Sequence, residues 1–173
     1  MTNLKRIRPE GIQLALEKAD QYRLLNEPHH AESICLDVLE VDPRNQQAVV
    51  TLLLALTDQF PSRLHDVRQS AEDLIPRLTA EYDQHYYAGI VHERWATSQY
   101  EKGPASRSVP EWLRKAMKCY ELAEKLASND NPDPVLRWNA CARLFDRVRI
   151  SEAAPAPLTR DIHSEFGDDV PPQ

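Results

Sequence analysis

Glycine is scarce in this chain: among 173 residues it occurs only as Gly11, Gly89, Gly103 and Gly167. Tight β-hairpins and phosphate-cradling loops lean on glycine, which reaches positive φ without a steric penalty. The shortage argues against both and for helices. Long apolar runs are also missing, and none approaches the roughly 20 residues that cross a bilayer. The basic start, Met1 to Arg8, has no apolar segment behind it of the kind a secretory signal carries. Cys35, Cys119 and Cys141 lie far apart, with no pair at zinc or redox spacing, and an odd, scattered set fits the reduced thiols of a cytoplasmic protein. Excess positive charge is lacking as well. A net charge of -6 disfavours non-specific nucleic-acid binding, which needs lysine and arginine to neutralise phosphates.

What is present is helical periodicity. Leu14, Ala15, Lys18, Ala19, Tyr22 and Leu25 recur at three and four residues, predicting a first helix over about 8–25. Asn26-Glu27-Pro28 breaks it, and Pro28 suits the first turn of a second helix that stops at Asp42-Pro43. A third helix, about 45–59, is apolar nearly all round from Ala48 to Leu56, which predicts cover on several sides. Ser62 is the expected N-cap of a fourth helix that Pro76 kinks or ends. A fifth spans about 80–100. Ser108-Val109-Pro110-Glu111 reads as a capping box for a sixth running to about Ala127, and Pro134 opens a seventh. The expected organisation is a basic arm over 1–7, a helical domain over 8–150 and a flexible proline-rich acidic tail over 151–173.

The helices also repeat. In a frame of about 34 residues starting at Ile12, Ala19, Tyr22, Ala31 and Pro43 take positions 8, 11, 20 and 32. On the seventh helix the same frame puts Trp138 at 4, Cys141 at 7, Ala142 at 8 and Phe145 at 11. Gly89 falls at 8 on the fifth helix, and Ala116, Tyr120 and Ala123 fall at 20, 24 and 27 on the sixth. Small residues at 8 and 20 let paired helices approach closely while large ones fill the gaps beside them. The chain therefore resembles the tetratricopeptide repeat over about 8–150. It departs from that pattern where Ala15 replaces the large residue of the first unit, in the spacing of the second hairpin, and in the insertion between Gly89 and Ala116.

The resemblance implies an all-α stack of antiparallel helical hairpins, a short solenoid of about seven helices. It implies a protein-binding adaptor or scaffold without cofactor, its concave groove lined by the first helix of each hairpin. Carried across, the lining positions are Leu16, Asp20 and Arg23, then Val50, Leu54 and Thr57, then Tyr86, Ile90 and Glu93, and finally Asn139, Arg143 and Arg147. A peptide or helix of a partner protein would lie there. Periodicity alone leaves a core role for Val50, Leu54 and Tyr86 equally open. A clamp for a terminal carboxylate is not expected, because Leu16 and Asp20 stand where such family members carry lysine and asparagine.

Other readings stand beside this one. Unsealed solenoid ends would stack copies of the chain into a homo-oligomer. His85 and His92 share a helix face, but Ala96 occupies the place of the second ligand in the zinc-protease pattern begun by His92-Glu93, and a metal site needs three or four converging ligands. No catalytic constellation is present, and an enzyme is not expected. Arg137, Arg143, Arg147 and Arg149 make the seventh helix basic, as Lys5, Arg6 and Arg8 do the amino end. These are either solvated faces or a docking site for an acidic or phosphorylated segment. Leu158, Ile162 and Phe166 recur every four residues before Gly167, predicting one short amphipathic helix whose apolar face suits a groove of its own chain or of a neighbour.

Overall fold

The computed structural model describes residues 3–62, 65–103 and 108–153, without the side chains of 65, 66 and 151–153. The segment 158–166 therefore lies outside the described residues. Among the described residues there are seven α-helices and no strand. They are α1 (Ile12–Leu24), α2 (Pro28–Val41), α3 (Gln46–Thr57), α4 (His65–Leu74), α5 (Glu81–Glu101), α6 (Val109–Leu126) and α7 (Asp133–Ala153). Short 3-10 turns at Pro9–Gly11 and Ile75–Arg77 lead into α1 and out of α4.

The breaks have local causes. After α1, Asn26 adopts φ 59°, a left-handed value that asparagine tolerates. The amides of Asn26 and Glu27 then donate back to the carbonyls of Arg23 and Tyr22 at 3.0 and 2.9 Å, closing the helix end. The Asn45 side chain caps α3 by accepting from the Ala48 amide at 2.9 Å. The Ser62 hydroxyl donates to the Gln59 carbonyl at 3.1 Å, and the cap expected of it at α4 involves residues 63 and 64, which lie outside the described residues. The capping box expected at α6 does not form. Ser108 has helical backbone angles (φ -84°, ψ -18°) and does not cap α6 with its side chain, because that bond needs extended backbone. Glu111 pairs instead with Lys115 one turn on, at 2.9 Å. At the other end, α7 continues to Ala153, beyond the 150 boundary read from composition.

Each helix packs against its successor, and α1 also touches α3 as α3 touches α5. Small residues sit at the crossings: Ala19, Ala31 and Ala116 are fully buried. Gly89 is the tightest of them. A Cβ there would stand 2.5 Å from Cε1 of Tyr120, so α5 and α6 meet at a distance that only glycine permits with the ring in place. Ala142 is only half-buried, since α7 is the last described helix. α3 touches α1, α2, α4 and α5, which accounts for its apolar circumference.

The core is divided. One cluster, including Leu16, Val38, Leu53, Phe60 and Trp95, fills the α1–α5 part, and burying a side chain such as Leu53 contributes about 2 kcal/mol. The other joins Ile90 and Ala96 of α5 to Leu113 and Tyr120 of α6 and to Cys141 and Val148 of α7. Leu54, Tyr87 and Trp112 pack against both.

Candidate functional site

The polar residues of α1, α3, α5 and α7 connect these helices in series. Asp20 of α1 accepts a hydrogen bond from the Thr51 hydroxyl of α3 at 3.2 Å. Arg23 donates from Nε to Oδ2 of Asp58 at 2.9 Å, just past the end of α3. The other oxygen of Asp58 takes an ion pair from Arg94 of α5, whose Nη1 also reaches the Thr57 hydroxyl at 2.8 Å. One carboxylate thus bridges two guanidinium groups, all three side chains being between 18% and 28% exposed.

Glu93 repeats the device one helix further on. Its Oε2 accepts from the buried Tyr120 hydroxyl at 2.5 Å and its Oε1 from Arg137 of α7 at 3.3 Å. Burial, and then the Glu93 charge and hydrogen bond, push the Tyr120 phenol well above its ordinary value, so it acts as a fixed donor. Burial disfavours the charge on Arg137, but Glu93 and Tyr86 more than offset it. Because Glu93 lies opposite Arg137, and Glu101 beside Arg147, α5 and α7 run in the same direction.

These helices leave two hollows along α5. One, of about 290 Å³, is lined by Thr57, Asp58, Pro61, Glu93, Arg94, Thr97, Ser98 and Glu101. The second, of about 300 Å³, is lined by Glu93, Thr97, Tyr100 and Glu101 with Ala140, Leu144 and Arg147 of α7. They share Glu93, Thr97 and Glu101, three residues on one face of α5, and so form a trough flanked by α3 and α7.

The expected groove residues divide accordingly. Thr57, Glu93 and Arg147 line the trough. Leu16 and Ile90, at 1% and 3% exposure, belong to the core and present no surface to a partner. They face inward because the helices beside them cover more of each circumference than an open groove would. Val50 and Leu54 are partly buried against the core. Asp20 and Arg23 are engaged with α3 and its end. Tyr86 is half-buried in a tyrosine cluster, stacked on Tyr82 at 5.6 Å and packed near Tyr87 and Tyr120 at 5.4 and 5.9 Å. Asn139 is half-buried, and Arg143 is exposed one turn from Arg147. Sequence reasoning missed Asp58, Arg94, Thr97 and Glu101. A signal was available for the first two: they follow Thr57 and Glu93 directly, so both take position 13 of the repeat frame, with opposite charges in successive units.

The chemistry of the remaining candidates is muted. Burial pushes the Cys35 and Cys141 thiols up to about 12, so neither is a nucleophile at neutral pH. No group of three His, Cys, Asp or Glu side chains converges on a metal position among the described residues. His85 reaches toward Glu81 at 3.8 Å. His92 instead sits in a stack of rings and cations between α4, α5 and α6. Arg68 lies 5.5 Å from the Trp95 ring centroid and 5.0 Å from that of Trp112, and the His92 ring is 5.4 Å from Trp112. Among the described residues no helix is long and apolar enough to cross a membrane. No family model, curated protein or solved structure matches the chain.

Proposed function

We propose that the chain is a non-enzymatic adaptor of the tetratricopeptide type that holds a peptide or helix of a partner protein in the trough along α5. The observation that carries this reading is the continuity of the two hollows through Glu93, Thr97 and Glu101. The floor suits a peptide-binding surface. Its most buried charges are already paired across helices, which leaves the geometry preorganised and lowers the cost of binding. Tyr100, Ala140 and Leu144 offer apolar area, and Arg147 and Glu101 offer charge at the rim.

The test is quantitative affinity capture from the source cells with the full chain, comparing Thr97→Arg and Arg147→Glu with Ser33→Arg on the exposed side of α2. Both trough variants should lose a common partner by at least about tenfold, equivalent to about 1.4 kcal/mol, while the α2 variant retains it. Retention of every partner by both trough variants would remove this reading.

Self-assembly is the second reading. Leu4, Leu14, Leu24, Leu25 and Leu36 are 53% to 87% exposed around α1 and α2, an apolar end that a further copy would cover. Sedimentation that changes with concentration favours it over the adaptor.

A further inference from the structure

We infer that the tyrosines at the start of α5, together with Asp83, receive a lysine or arginine side chain of the partner peptide. That the occupant is a peptide rests on the adaptor reading, whereas the site itself lies apart from the trough. Asp83 precedes Tyr86 and Tyr87 by three and four residues, so the three side chains leave one side of α5 about a turn apart. The Tyr86 and Tyr87 rings meet nearly at right angles, at 82° and 5.4 Å, and Tyr82 extends the group by stacking on Tyr86. Asn131 fixes Tyr82 by donating to its hydroxyl at 2.9 Å. Tyr82, Asp83, Tyr86 and Tyr87 are all half-buried. Perpendicular rings beside a carboxylate attract a cation, because each ring face is electron-rich and the carboxylate adds a full charge.

The charges around the group select that occupant. Burial raises the Asp83 carboxyl above its ordinary value, and no described side chain gives it a hydrogen bond or a counter-charge. An arriving cation supplies both. Asp133, at the start of α7, bears on Tyr82 and adds a second negative charge, while the exposed Glu81 faces His85 at 3.8 Å. The cations close by are engaged. Arg137 donates to Glu93 at 3.3 Å and also hydrogen-bonds Tyr86. Arg23, which bears on Tyr87, shares Asp58 with Arg94, so one positive charge remains there against those of Asp83 and Asp133. Arginine or lysine stands over the rings of Trp95, Trp112 and Phe145, whereas among the described residues no cation stands over Tyr82, Tyr86 or Tyr87. An anion would meet Asp83 and Asp133, and an apolar group would leave Asp83 desolvated without compensation. Tyr86 lies seven residues before Glu93, about 10 Å along the helix. An extended peptide advances about 3.3 Å per residue, so its basic residue would stand about three residues from the segment over Glu93.

Titration of the full chain with the capped pentapeptide Ala-Ala-Lys-Ala-Ala, followed by NMR at millimolar peptide, tests the site without any partner. The ring signals of Tyr82, Tyr86 and Tyr87 should shift saturably, and the same peptide with norleucine in place of lysine should bind at least about fivefold more weakly. Asp83→Asn should weaken lysine binding by about fivefold and leave norleucine binding unchanged. Tyr82→Leu, which keeps the carboxylate, should weaken it by about threefold. Equal affinity for the two peptides, or lysine binding that Asp83→Asn leaves intact, would overturn the inference. In the capture experiment Asp83→Lys should lose the partner that Thr97→Arg and Arg147→Glu lose. Loss by the two trough variants with retention by Asp83→Lys would overturn the inference and leave the adaptor standing. Retention by all three would remove the adaptor, and the cation site would then stand or fall on the titration.

Discussion

Replacing Gly89 with alanine reads out the contact between α5 and α6. In an ordinary helix interior the change stabilises by about 1 kcal/mol. Here the new methyl would stand 2.5 to 2.8 Å from three atoms of the Tyr120 ring. The ring is fully buried and its hydroxyl is held by Glu93, so it has little room to retreat. Overpacking costs about 1–3 kcal/mol. Loss of the hydrogen bond to the charged Glu93 adds about 1.5–3 kcal/mol. Less the helical gain, the net destabilisation is about 1.5–5 kcal/mol, with a fall in Tm of roughly 2–4 °C for each kcal/mol in a chain of this size. Urea unfolding with an unchanged slope is the assay. The decisive comparison is the same substitution in a Tyr120→Leu background, where the methyl has space and Gly89→Ala should stabilise by about 1 kcal/mol. An equal effect in both backgrounds, or stabilisation in the unaltered chain, would refute the reasoning.

Two further perturbations probe the polar joints and the ring-and-cation stack. Asp58→Asn keeps the shape of the bridging side chain but removes its charge from between Arg23 and Arg94, and should cost about 2 kcal/mol in urea unfolding. Glu40→Gln at the exposed Arg6–Glu40 pair should cost no more than about 0.5 kcal/mol, and similar losses at the two sites would discredit the bridge. Burial, aided by Lys115 and Arg68 and opposed by Glu72, holds the His92 imidazole below its ordinary 6.5. The unfolded chain therefore takes up this proton first as pH falls, so the contribution of neutral His92 is complete above about 6.5 and is lost progressively below it. His92→Gln should flatten that part of the stability profile relative to the unaltered chain. Parallel profiles between about pH 7.5 and 5 would contradict it.

The helices and their crossing points were legible because each depends on one chain segment at a time. Proline at 28, 43 and 76 marks ends whatever the tertiary context, and a small residue at 19, 31, 89 or 116 records that another helix passes close by. The joints between helices were harder to read. Arg23, Asp58 and Arg94 meet only when α1, α3 and α5 lie in one register, which no single helix encodes. Leu16 and Ile90 show the same limit from the other side: their positions in the repeat imply a groove, and the neighbouring helices close over them. The missed capping box at α6 has a local reason. Serine before a helix caps it only if its backbone is extended, and Ser108 is already helical.

The division of the core bears on how the molecule can deform. Leu54 of α3, Tyr87 of α5 and Trp112 of α6 pack against both apolar clusters, and α5 gives Val91 and Trp95 to one and Ile90 and Ala96 to the other, so it forms the seam between them. A small rotation about that seam would change the separation of α3 from α7 and hence the width of the trough. It would leave the interiors on either side closed. A trough built across such a seam can change its calibre at low cost in stability.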